Sequence, residues 1–272
     1  MDEIKKATAD PDCVAIPADG ETQPGNEPER NAEEKRGFRN IVLLGMTSLF
    51  ADMSTEMVYP LIPLYLVSAF GATPALVGVI EGIAESLASL LKVVSGHISD
   101  RYKNKKALTI VGYSTALIYK IALIVSTSWV GVLFARVIDR FGKGVRVAPR
   151  DVLVSENAVA AKQGAAFGLH KALDMAGSAA GILIAFLIMR ATGGVVVYKE
   201  IFFYSMIPAV LGVLVLSMVR EKKQRREPKR KLEVRTAWGA LDTRLKLFLV
   251  TAFAFNLGNS SNTFLLLRAY DV

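Results

Sequence analysis

One cysteine in 272 residues, Cys13 in a polar stretch, removes several kinds of chemistry at once. A lone thiol supplies neither a disulfide framework nor a thiolate metal site. No HExxH, no GxSxG and no clustered Cys and His occur, so a metalloenzyme or a membrane hydrolase lacks its parts. The fragment Gly142-Lys143-Gly144 has no Ser or Thr after its lysine and lies inside an apolar run, which leaves an ATP-driven pump unsupported. The first residues, Met1 to Arg36, hold almost no large apolar side chains and lack the pattern of a cleavable signal peptide. These absences point away from an enzyme and call for no cofactor.

What is present is apolar. Hydrophobic residues make up 52% of the chain and the mean hydropathy is +0.35, too apolar for a soluble domain with a polar surface. The expected class is an all-α integral membrane protein. A net charge of +8 would suit nucleic acid, but the basic residues fall in loops between apolar spans and form no continuous patch, so nucleic acid is not an expected partner. The charge reads as topology, with the lipid bilayer as partner.

The stretch that orders the rest is Gly96-His-Ile-Ser-Asp100-Arg101-Tyr-Lys-Asn-Lys105-Lys106, a basic turn between two runs, Ala75 to Ile98 and Ala107 to Ser126. Crossing a hydrocarbon core about 30 Å thick takes roughly 20 apolar residues, and short loops rich in Lys and Arg stay in the cytoplasm. The residues therefore divide into a disordered cytosolic tail (1–36), a six-span bundle (37–219), a basic cytoplasmic link (220–244) and a seventh span (245–272). Span one, Ile41 to Phe70, is expected to bend at Pro60 and Pro63 and to start inside. The fourth starts near Trp129 and ends about Val147, where Pro149, Arg150 and Asp151 open a cytoplasmic connection that runs to about Lys162 to Gly164. The fifth covers Ala165 to Met189 and the sixth Ile201 to Val219. The expected location is the cytoplasmic membrane, multi-pass, with the N-terminus inside.

At least eleven ionisable side chains lie within the apolar runs: Asp52, Glu56, Glu81, Glu85, Lys92, Arg136, Asp139, Arg140, His170, Lys171 and Asp174. Each central Asp, Lys or Arg costs roughly 2.5 to 3.5 kcal/mol on insertion scales, so they must face a shared polar interior. Asp52 and Glu56, Glu81 and Glu85, Arg136 and Arg140, and His170 and Asp174 are all i, i+4 pairs, each on one helix face. Such groups either form interhelical ion pairs that fix packing or line a water-filled path in which protonation changes. Small residues in the fifth span, Gly168, Gly177 and Gly181 among them, allow close helix packing. Asn256, Asn259 and Asn262 in the seventh form a polar stripe that lines a cavity or bonds to a neighbouring helix.

The basic turn resembles the signature between the second and third helices of the major facilitator superfamily, a glycine, three residues, Asp-Arg and a basic cluster. Gly96, Asp100, Arg101, Lys105 and Lys106 would on that resemblance form a cytoplasmic gate. Arg136 is similar to that family's buried arginine implicated in proton coupling, and the segment Arg136 to Asp151 resembles a prokaryotic drug-resistance-like branch. Gly168, Gly177 and Gly181 fit the first glycines of a motif common in exporters.

The resemblance implies two six-helix halves, each an inverted pair of three-helix repeats. This chain would hold the first half, the link and one helix of the second, with a missing C-terminal half expected as partner or as further sequence. The expected function is proton-coupled export of a small organic solute by alternating access. Asp52, Glu56 and Glu85 would carry protons, Arg136 and Arg140 would be their counter-charges beside Asp139, and His170, Lys171 and Asp174 would form a relay region. Two alternatives stay open: uptake of an organic anion bound by Arg136 and Arg140, and a transport-inactive membrane scaffold.

Overall fold

A computed structural model describes residues 27–101, 105–192, 198–219, 241–258 and 268, and among them every regular element is helical. The helices are α1 (Glu27–Glu56), α2 (Leu61–Phe70), α3 (Pro74–Arg101), α4 (Lys105–Val125), α5 (Trp129–Asn157), α6 (Gln163–Ala191), α7 (Tyr198–Tyr204), α8 (Met206–Ser217) and α9 (Thr243–Gly258). Five stretches are long and apolar enough to cross a membrane: Asn31–Phe70, Pro74–Leu91, Lys105–Val125, Ala160–Ala191 and Tyr198–Ser217. α5 is absent from that set because of its charges, yet it is the helix packed along both α3 and α4.

The proline and glycine chemistry places the breaks. α1 and α2 form one bent span, as expected, interrupted at 57–60 with Pro60 as the cap of α2. α2 ends at Gly71, whose φ of 62° is the left-handed conformation glycine adopts without strain. The sixth span is split between α7 and α8 at Ser205, three residues before Pro208, which cannot donate to the preceding turn. The Ser54 hydroxyl of α1 donates to the Ser205 carbonyl at the break.

Three boundaries differ from the sequence expectation. Residues 27–36 belong to α1 rather than to a disordered tail: their Glu, Ala, Lys and Arg are good helix formers, and the helix is docked by an ion pair from Lys162 Nζ to Glu34 Oε1 at 2.6 Å. α5 does not stop near Val147 but runs through Pro149 to Asn157. Proline removes a single helical bond, while Leu153 and Val154 stay buried and Asn40 Nδ2 of α1 donates to Asn157 Oδ1 at 2.8 Å. The 16 residues of α9 are shorter than a crossing, and the rest of the expected seventh span lies outside the described residues, as do the side chains of Asn256, Asn259 and Asn262.

Close approach is set by glycine. A Cβ on Gly177 or Gly181 of α6 would collide with the carbonyl oxygens of Leu49 and Met53 on α1, so the two helices touch backbone to backbone. Gly168 is a correction to the expected packing stripe: it is exposed, and a Cβ there would meet nothing within 4 Å. The Gly142-Lys143-Gly144 fragment packs instead. Gly142 lies against Gly112 and Thr115 of α4, and a Cβ on Gly144 would sit 2.5 Å from Leu91 Cβ of α3. Ser95 Oγ donates to the Gly144 carbonyl at 2.7 Å.

Replacing Gly177 by Leu is expected to destabilise the purified protein by about 1–3 kcal/mol through overpacking, while Gly168→Leu stays within about 0.5 kcal/mol. Equilibrium unfolding in detergent distinguishes the two, and equal losses would contradict the packing described.

Candidate functional site

α5 carries a charged face 21 Å or so long from Arg136 to Arg150, at about 1.5 Å per residue. Its partners come from α1, α3, α4 and α6. They form three tiers along the helix.

The tier nearest the Trp129 end is built on Arg136. Arg136 has 0% exposure. Its Nε donates to Glu81 Oε1 at 2.9 Å and its Nη2 to Glu81 Oε2 at 2.5 Å, a two-pronged pair with α3. Asp139 Oδ2 lies 3.5 Å from Arg136 Nη1 and 3.6 Å from Arg140 Nη1. Arg140 Nε also reaches Glu85 Oε2 at 3.2 Å, but that carboxylate is 59% exposed. The ring of Tyr59, in the turn after α1, lies 5.1 Å from the Arg136 guanidinium and 5.6 Å from that of Arg140. Planar guanidinium geometry and a delocalised charge suit this double engagement.

The middle tier is looser. Asp52 of α1 and Asp174 of α6 are neighbours whose carboxyl groups act on one another. Lys171 Nζ donates to Asp174 Oδ2 at 2.6 Å. Asp52 also feels the charges of Arg146 and Lys143, and Glu56 those of Lys143 and Arg140. The guanidinium of Arg146 stacks 4.4 Å from the Tyr113 ring centre of α4.

The tier at the Asn157 end is a hydroxyl network. Ser48 Oγ of α1 is 3.0 Å from His170 Nε2 of α6 and 3.1 Å from Tyr113 Oη of α4. Arg150 Nη1 of α5 donates to the same oxygen at 3.5 Å and its Nε to Asp151 Oδ1 at 3.0 Å. Four helices thus meet at one serine.

The structure therefore brings Asp52, Asp174 and Lys171 together, and Arg136, Asp139, Arg140 and Glu85 together. The residues of the expected relay pair make different hydrogen bonds, His170 with Ser48 and Asp174 with Lys171. The expected gate lies partly outside the described side chains: those of Gly96, Asp100 and Arg101, and of Lys92 nearby, are not described. Lys105 forms an ion pair with Glu156 of α5, and Lys106 Nζ donates to the Ser217 carbonyl of α8 at 2.6 Å.

Sequence reasoning counted Glu81 among the inward-facing groups but did not single it out, although it is the main partner of Arg136; it gave Lys143 and Arg150 no place in the site and did not name Lys120 or Arg146. Lys143, Arg146 and Arg150 continue the Arg136–Arg140 stripe at steps of three and four residues, so the helical period extended past Val147 would have found them. Lys120, with 0% exposure in α4, shares its helix with Tyr113 and donates to the Ala116 carbonyl at 3.4 Å. Its signal was a single lysine in the middle of an apolar run.

Residues 44–271 match the family model of the Major Facilitator Superfamily. The chain is a member of that superfamily. This facilitator is 32% identical over 249 residues to an uncharacterized MFS-type transporter of Methanocaldococcus jannaschii, covering 90% of the chain and 60% of the relative. It is 33% identical over 157 residues to an uncharacterized protein of Mycobacterium tuberculosis, covering 57% of the chain and 38% of that protein. Among solved structures, a peptide transporter POT in complex with alafosfalin superposes with a TM-score of 0.58 at 16% identity, covering 84% of this chain and 48% of the other. A POT family transporter in complex with a thioalcohol-conjugated peptide gives a TM-score of 0.60 at 16% identity, with 86% and 47% covered. The chain thus spans about half the length of these structures and 60% or less of the relatives. The shared fold is that of an all-helical facilitator bundle, and its long apolar helices make this member of the superfamily a multi-pass membrane protein.

Glu81→Ala, which strands a buried guanidinium, is expected to cost about 3–5 kcal/mol, against about 0–1 kcal/mol for Glu85→Ala at its exposed position. Adding Arg136→Met to Glu81→Leu should recover most of the loss. A double-mutant cycle on the unfolding of the purified protein reads all of these.

Proposed function

We propose that this facilitator couples the movement of a small organic solute to protons, in the export direction, across the cytoplasmic membrane. The observation that supports the coupling is the neighbouring of two acids, Asp52 of α1 and Asp174 of α6, beside the charged face of α5, with Lys171 Nζ on Asp174 Oδ2 at 2.6 Å. Rocking α1 against α5 changes how close Asp52 and Glu56 lie to Lys143, Arg146 and Arg140, and a nearer cation favours the ionised carboxylate. A proton is released when the bases approach and taken up when they withdraw. Solute movement follows the same rocking, since alternating access is motion of one helical body against another about a fixed site.

Within this reading Asp52 and Glu56 are the proton carriers, with Glu85 a more exposed third. Arg136, held by Glu81 and Asp139, acts as the fixed counter-charge. Lys105, bound to Glu156, and Lys106, bound to the Ser217 carbonyl, supply a latch that joins the α3–α4 turn to α5 and α8, and Asp100 and Arg101 belong to the same gate. His170 joins the cycle through Ser48.

Two features support the orientation. The pairs Lys162–Glu34, Lys105–Glu156 and Lys106–Ser217 gather the start of α1 and the ends of α5 and α8 at one end of the bundle, the end that carries Lys35, Arg36 and Arg39. By the positive-inside rule that end is cytoplasmic, with the N-terminus inside. A second six-helix body facing α1 and α5 is expected to complete the passage, as in two-body transporters.

Anion uptake at Arg136 and Arg140 is the weaker reading, because Glu81, Asp139 and Glu85 already occupy those guanidiniums. In proteoliposomes of the intact protein, an imposed pH gradient should drive solute movement that falls at least tenfold in Asp52→Asn and Glu56→Gln, with a smaller loss in Glu85→Gln. Undiminished gradient-driven movement with all three neutralised would overturn the proton assignment.

A further inference from the structure

Ser48 of α1 has 0% exposure, and side chains from three other helices end on its hydroxyl oxygen. His170 Nε2 of α6 lies 3.0 Å away, Tyr113 Oη of α4 3.1 Å and Arg150 Nη1 of α5 3.5 Å. Tyr113 and His170 are buried as well. A hydroxyl owns one proton and two lone pairs, so three neighbours fill it and the protons of the cluster can be counted.

The count settles who donates. A guanidinium only donates, so Arg150 takes one lone pair of Ser48. If Ser48 turned its own proton toward Tyr113, the buried phenol would keep a proton for which the described residues offer no other acceptor, and such a group is costly. Tyr113 therefore donates to Ser48, and Ser48 donates to His170 Nε2. The ring is then neutral with its proton on Nδ1, because the bond made by one ring nitrogen fixes the state of the other.

A second proton can enter the ring only at Nε2, the atom that Ser48 holds. An imidazolium donates from both nitrogens and accepts at neither, so the serine proton loses its acceptor and three donors meet two lone pairs. The new charge also lacks a free counter-charge nearby. Arg150 is on the same oxygen, and the Arg146 guanidinium lies 4.4 Å from the Tyr113 ring centre. The acids acting on the ring are engaged, Asp151 by Arg150 at 3.0 Å and Asp174 by Lys171 at 2.6 Å, with Asp52 of α1 beside Asp174. We propose that Ser48 is a positioning residue that ties neutral His170 of α6 to α1, α4 and α5, and that a proton added at Nε2 unties it and frees the start of α6. The step forms one N–H bond at the expense of hydronium and leaves water. The contacts of Gly177 and Gly181 with the Leu49 and Met53 carbonyls hold no titratable group and form the pivot. This gives the proton cycle proposed above a switch between α1 and α6, and its use in transport rests on that reading.

The test uses the purified full chain and two readouts. The protein has two histidines, so His170→Gln assigns the His170 signal in nitrogen-15 spectra by its loss. His170 is expected as the Nδ1–H tautomer. Ser48→Ala should turn most of it to Nε2–H, Ser48→Thr should restore the first form, and Tyr113→Phe should keep it. Nitroxides on Lys35→Cys of α1 and Gly164→Cys of α6, two exposed positions, in a Cys13→Ser background, read the clamp itself. Between about pH 8 and pH 5, where histidine ordinarily changes charge, their separation should shift by roughly 2 Å or more. The shift should vanish in His170→Gln, whose amide oxygen accepts from Ser48 at any pH, and persist in Asp52→Asn.

An Nε2–H ring at His170 of the otherwise unaltered protein would overturn the positioning role, and that measurement stands even if Ser48→Ala does not fold. A distance shift kept in His170→Gln and lost in Asp52→Asn would overturn the clamp and leave the coupled-transport reading standing. A shift that follows His170, in a protein whose solute movement ignores an imposed pH gradient, would support the clamp and overturn the coupling.

Discussion

A guanidinium buried without exposure in an apolar bundle is tolerable only if its charge and all its donors are met, and in this molecule Arg136 imposes that condition on everything around it. Glu81 must come from α3, Asp139 from the next turn of α5, and the Tyr59 ring from the bend between α1 and α2. Three of the spans are thereby brought to one point. The charge excludes α5 from the helices recognisable as membrane crossings by composition, yet it is what puts α5 at the centre.

Bringing helices that close requires small residues where the backbones meet. Gly142 and Gly144 let α5 sit between α4 and α3, and Gly177 and Gly181 let α6 lie on α1. These two contacts define two pairs of bodies. α5 packs on α3 and α4, and α1 on α6, so the charged groups of the middle tier lie where the two sets meet. The tier nearest the Trp129 end is pinned by a two-pronged ion pair between α5 and α3, while in the middle tier the ion pair, Lys171 to Asp174, lies within α6 alone.

Much of this was legible beforehand, for identifiable reasons. Asp52 and Glu56, or Arg136 and Arg140, fall on single helix faces because the 3.6-residue period is local, and the insertion cost of a charge says such faces turn inward. The bend at Pro60 follows from a missing N–H. Pro149 misled because the same missing bond was outweighed by contacts from another helix, Asn40 to Asn157 among them. Gly168 misled because a spacing of small residues says that close packing is possible, and only the rotation of α6 decides which of them face α1.

By itself the amino-acid sequence determined that the chain is built of apolar helices and which residues had to be turned away from lipid, since both depend on composition and on a period of a few residues. Only the tertiary structure decided that Glu81 rather than Glu85 holds Arg136 and that His170 bonds to Ser48 and not to Asp174. Partner choice among like-charged residues one turn apart depends on the rotation and depth of whole helices. Those are set by distant contacts such as Gly177 on Leu49, which no local pattern encodes.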